Sequence, residues 1–92
     1  DGIIIGAASI DYETGQLIAG PEVISRGFVY VKEAEELIAN ARKIAEKSLE
    51  GCYYNNISDI GAIKGKLRDA VSHFVYEQTK RSPMILPVIM EV

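Results

Sequence analysis

The stretch from Phe74 to Val92 changes its hydrophobic period once, and that change constrains the fold more than any other feature. Phe74-Val75-Tyr76-Glu77-Gln78-Thr79 closes an amphipathic helix that ends on two cations, Lys80 and Arg81. Ser82-Pro83 then breaks it, because the residue before a proline is driven out of helical geometry. From Met84 the chain is apolar and reads as a strand running to the last residue. Pro87 within it points to an edge position or a bulge, since proline gives a sheet no backbone donor.

The rest of the chain supplies two more strands and a second helix. Residues 3–10 read as a strand built on Ile3, Ile4, Ile5 and Ile10, with Gly6, Ala7 and Ala8 between them. Asp11-Tyr12-Glu13-Thr14-Gly15-Gln16 is a turn, with Asp11 bonding the local backbone and Gly15 supplying a positive φ. Gln16 to Val31 returns as the second strand of a hairpin, interrupted at Ala19-Gly20-Pro21. A helix over residues 33–50 places Ala34, Leu37, Ile38, Ala41, Ile44, Ala45, Ser48 and Leu49 on one stripe. Glu33, Glu35 and Glu36 favour its positive N-terminal end, and Gly51 is the expected stop. After Tyr53-Tyr54-Asn55-Asn56, Ser58 is the expected N-cap of the helix that runs to about Thr79. Ile60, Ile63, Leu67, Ala70, Val71 and Phe74 line its inner face. Gly61 and Gly65 fall on its outer face with Ser72 and Tyr76, either as tolerated drift or for close approach by a partner. The expected fold class is α+β, in the order β-β-α-α-β, with two helices packed on one face of a three-stranded sheet.

Alternation along the strands then exposes a surplus. The first strand sets Ile3, Ile5 and Ala7 on one side, and Ile4, Ala8 and Ile10 on the other. The second sets Val23, Val29 and Val31 against Ile24, Phe28 and Tyr30. The third sets Met84, Leu86, Val88 and Met90 against Ile85 and Ile89. Both faces are apolar, and two helices cover only one. The second face is therefore expected to meet a partner, because a soluble monomer seldom leaves several hundred Å² of contiguous apolar surface in water. The competing expectation is that curvature, or side chains of the 11–22 loop, hides it. Ile24, Arg26, Phe28 and Tyr30 are the candidate interface residues, since aromatics and arginine are common interface anchors.

Composition narrows the function. Ninety-two residues make one domain, spanning 1–92, and a hydrophobic fraction of 48% supports a packed core. No run approaches the ~18 apolar residues of a membrane span, and no signal peptide is visible. A single cysteine, Cys52, precludes an internal disulfide and suits the cytoplasm; as a residue it reads as a small apolar filler. Opening on Asp1-Gly2, straight into a strand, the chain reads as a domain cut from something longer. The net charge of −3 argues against strong nucleic-acid binding by the chain alone. Charge is uneven, with five cations against ten acids over residues 1–63 and five against three over 64–92. Lys64, Arg68, Lys80 and Arg81 are thus the candidates for weak RNA contact, although the last two also suit a helix C-terminus.

No catalytic constellation is legible. A two-metal hydrolytic site takes several histidines and aspartates, and this chain has one histidine, His73, expected on a surface flank near Lys66 and Glu77. Ser9, Ser25 and Ser82 lack the strand–turn–helix elbow of a nucleophile, and phosphate-loop signatures are absent.

The strings Ser25-Arg26-Gly27-Phe28-Val29-Tyr30-Val31, Leu67-Arg68-Asp69-Ala70 and Thr79 to Val92 resemble the C-terminal domain of bacterial ribonuclease J, in that family's order of segments. The family comprises metal-dependent nucleases on a metallo-β-lactamase core with a β-CASP insertion. The resemblance implies a parent with a two-zinc centre, acting on RNA as 5′→3′ exonuclease and endonuclease, in which this domain is a sheet on two helices that supports dimer or tetramer assembly or contacts the catalytic domains. It assigns no catalytic residue, cofactor or metal to this chain, and RNA is expected to be reached through the parent. A stretch of Gly6 to Ala8 departs from the valine-rich strand usual there.

Overall fold

The structure, a computed structural model, describes residues 2–27 and 34–92. Five elements follow one another: β1 (Ile3–Ile10), β2 (Leu17–Arg26), α1 (Ala34–Tyr54), α2 (Ile60–Thr79) and β3 (Met84–Glu91). The expected α+β order is the one found, with three strands in one sheet.

Strand order is β2-β1-β3, so the first strand is central. β2 returns antiparallel to β1, whereas β3 lies parallel to it. Parallel neighbours cannot be joined by a tight turn, and the two helices form the crossover that brings the chain back. α1 packs over β2 and α2 over β3, both on the same face. The hairpin turn is set by local chemistry. The Asp11 carboxylate accepts from the backbone N–H groups of Glu13 and Thr14, both at 2.8 Å, and Gly15 takes φ +78°. Beyond the turn the β1–β2 register shifts between Ala7 and Ile10, beside Gly20 and a cis Gly20-Pro21 peptide. There Gly20 holds φ +89°, and a Cβ on it would lie 2.9 Å from the Ala7 carbonyl oxygen.

The core lies between sheet and helices. Ile4, Ala8, Ile10 and Ile85 meet Ala45, Leu49 and Cys52 of α1 and Ile63, Leu67, Val71 and Val75 of α2. Fully burying a side chain of this size is worth roughly 1.5–3 kcal/mol.

Two boundaries differ from the sequence expectation, and a third falls partly outside the described residues. α1 does not stop at Gly51 but continues to Tyr54, which brings Cys52 into the core. A glycine costs a helix interior about 1 kcal/mol, less than the burial gained one residue later. The helix stops instead at Asn56, whose φ of +57° is left-handed. Asp59, not Ser58, caps α2, its carboxylate accepting from the Ala62 N–H at 2.9 Å. β2 ends at Arg26 and Gly27 takes φ +68°; residues 28–31, expected in the same strand, lie outside the described residues, as does Glu33.

A candidate interaction face on the sheet

Among the described residues, the face of the sheet turned away from the helices carries a large apolar surface with a regular layout. Register aligns its side chains in rows: Arg26, Ile3 and Met84; then Ile24, Ile5 and Leu86; then Glu22, Ala7 and Val88; then Ser9 and Met90. Met84 is 65% exposed, Met90 59%, Ile24 45% and Leu86 43%. Among the described residues nothing covers this face, so neither curvature nor the 11–22 segment hides it. Both methionines of the chain stand here, at either end of β3. Methionine is flexible and polarisable, which suits a surface that adapts to an irregular partner.

Of the interface candidates read from the sequence, Ile24 and Arg26 lie on this open face. Phe28 and Tyr30 lie outside the described residues. Arg26 is exposed at the corner of the face, where its guanidinium donates to the Ser25 carbonyl at 3.0 Å. On the same open face β1 and β3 contribute Ile3, Ile5, Met84, Leu86 and Met90. Alternation along β3 was legible, but its alignment beside β1 was not.

The four candidate RNA cations do not form one patch. Lys64 and Arg68 stand one turn apart near the start of α2, whereas Lys80 and Arg81 follow its end. Sixteen residues of helix separate Lys64 from Lys80, roughly 24 Å at 1.5 Å per residue. Arg68 approaches Asp69 at 3.4 Å. Lys80 lies 3.8 Å from Glu77 and 5.3 Å from the Tyr76 ring centroid, and its left-handed backbone closes the helix by donating to the Tyr76 carbonyl. The Arg81 N–H donates to the Thr79 hydroxyl.

His73 is exposed, 3.7 Å from Glu77. Burial pushes the Cys52 thiol up from its ordinary value, against a smaller opposing pull from Lys66, so the reactive thiolate is disfavoured. A shallow groove of about 450 Å³ between α1 and α2 has an apolar floor of Ile44 and Phe74. Asn40 and alternating lysines and glutamates of α1 complete its lining. Gly61 is exposed and Gly65 half-buried on the outer side of α2. No described helix is long and apolar enough to cross a membrane.

The ribonuclease J C-terminal domain family matches residues 1–92. Ribonuclease J2 of Bacillus subtilis (strain 168) is 42% identical over 92 residues, which is all of this chain and 17% of that protein. A Ribonuclease J 2 of Staphylococcus epidermidis is also 42% identical over 92 residues, covering 16% of its own length. Ribonuclease J 1 of Streptococcus pyogenes serotype M3 is 31% identical over 90 residues, 98% of this chain and 16% of that protein. The chain therefore spans no more than 17% of these curated relatives.

Proposed function

Because this chain belongs to the ribonuclease J C-terminal domain family, we propose that it serves as the non-catalytic C-terminal domain of a longer ribonuclease J-like enzyme. The parent is a metal-dependent hydrolase of RNA, exonucleolytic from the 5′ end and endonucleolytic, working in RNA processing and decay in the cytoplasm. Its two-zinc centre is to be sought outside these residues, since such a site takes several histidines and this chain has one.

The domain's own task is to hold the parent together, either to another copy of itself or to its catalytic domains. The observation that supports this is the open sheet face, with Ile24, Met84, Leu86 and Met90 exposed in register around Ile3 and Ile5. Burying a handful of such side chains, at roughly 1.5–3 kcal/mol each when complete, can offset an association cost of ~4–15 kcal/mol. Arg26 and Glu22 on the same face supply charges that set the orientation of a partner.

Light scattering and a binding titration test this reading. The chain is expected to be dimeric or larger, or else to bind a parent that lacks these residues. Leu86→Glu and Ile24→Glu should each abolish that association while leaving the thermal melt in place. A wild-type chain that stays monomeric at high concentration and ignores the truncated parent would overturn the reading.

The second reading is an accessory electrostatic contact with RNA. It is supported by the mildly basic last third of the chain, where Lys64, Arg68, Lys80 and Arg81 lie.

A further inference from the structure

The hydrogen-bond phase of the sheet shows which backbone groups face outward. Met84 N–H donates to the Gly2 carbonyl at 3.0 Å, and Val92 N–H donates to the Ile10 carbonyl at 2.9 Å. In a parallel pair, alternate residues bond to the neighbour and the rest point away. Even-numbered residues of β3 therefore bond β1, and the N–H groups of Ile85, Ile89 and Glu91 point to the free edge. Position 87 belongs to the outward set, and it is proline.

The same phase carries across to β2. Even-numbered residues of β1 bond β3, so its odd-numbered residues bond β2, and Ile3↔Arg26, Ile5↔Ile24 and Ala7↔Glu22 are the bonded pairs. Between them, Val23 and Ser25 point to the other free edge. Pro21 lies at the register shift beside Gly20 and is fully buried, so the phase does not extend to it. Of the three prolines of the chain, Pro87 occupies an outward donor slot within a strand. Such a slot loses no ladder bond, which explains why proline is tolerated there. The β3 edge keeps one outward donor before its proline, Ile85, and two after it, Ile89 and Glu91.

We propose that Pro87 closes the β3 edge of this sheet to strand addition, so that no extended segment, from another copy or another protein, joins it there. An unguarded edge strand is a template for a further strand, and edge proline is one way of blunting it. The proposal does not rest on the association reading above; it holds whether or not the open face binds anything.

Amide exchange followed residue by residue on the 92-residue chain, at low and high concentration, decides it. The Ile85 and Ile89 amides should exchange at least about tenfold faster than the inward amides of Leu86 and Val88 at every concentration. Pro87→Val restores a donor with little change in volume. It should make the amides at 85, 87 and 89 slow as concentration rises, with growth of assemblies that bind thioflavin. Outward β3 amides of the wild-type chain that slow tenfold with concentration would overturn the proposal. So would a Pro87→Val chain that keeps slow Leu86 and Val88 amides yet gains neither protection nor assemblies. Pro87→Thr serves in place of a valine variant that does not fold, and the wild-type measurement decides by itself in either case.

Discussion

Leu67 of α2 stands over Gly6 of β1, its Cδ2 4.0 Å from the position a Cβ on Gly6 would take. This contact accounts for the small residue at position 6 of the central strand, where valine would be the ordinary choice. Space remains for a methyl group and for little more. Gly6→Ala should be tolerated, whereas Gly6→Val should lower the urea midpoint by the equivalent of about 1–3 kcal/mol through overpacking. Leu67→Ala, which empties the same contact from the other side, should cost about 2–5 kcal/mol. In a chain this small that is a large share of the total stability. Equal melts for Gly6→Ala and Gly6→Val would show that α2 is not seated where the geometry places it.

Gly51 lies inside α1, and a Cβ there would meet nothing within 4 Å. Gly51→Ala should therefore raise stability by about 0.5–1 kcal/mol, by reducing unfolded-state freedom and improving helix propensity. An upward shift in thermal midpoint of a few degrees is the readout. A decrease would mean that the helix does stop near Gly51, as its sequence implies.

Stability should fall at alkaline pH because of Cys52. Burial raises its thiol above the ordinary value, so the unfolded chain releases the proton first. The folded state then holds more protons, and its advantage, complete below the unfolded thiol value of about 8.5, is lost as pH rises towards the folded one. Urea midpoints measured from neutral to alkaline pH should decline, and Cys52→Ala should flatten that decline.

Asp11 acts at the other end of the scale. The N–H groups of Thr14, first, and Glu13 hold its carboxyl below the ordinary value of 3.8. A depressed carboxyl stabilises the fold above its unfolded value, and that contribution disappears as pH falls through the folded one. Asp11→Asn should remove this acid dependence without disturbing the sheet, as read by midpoints measured between neutral and strongly acidic pH.

Any RNA retention by the chain should be salt-sensitive, and the two cation pairs should act separately because α2 holds them at its opposite ends. Replacing Lys80 and Arg81 by alanine removes at most two phosphate contacts, a loss of roughly 1.4 from the slope of log affinity against log salt. Filter binding across a salt series measures it. Tight, sequence-selective retention at physiological salt would contradict the electrostatic reading.

Much of this molecule was decided by short-range chemistry. Asp11 and Gly15 made the hairpin turn, Ser82-Pro83 separated the last helix from the last strand, and hydrophobic period assigned each element its type. These effects act over a few residues, so they are written in the chain itself. The exposed surplus of apolar side chains was legible for the same reason, since alternation is a local property. The family resemblance was legible as strings of residues. Tertiary structure decided what depends on distant partners. Placing β3 parallel to β1 and β2 on the other side aligned Met84 with Ile3 and Leu86 with Ile5, and so fixed the composition of the open face. The same register turned the backbone position of Pro87 outward. Burial of Cys52 carried α1 past a glycine that local propensity marks as an end, because a core contact outweighs about 1 kcal/mol of backbone preference.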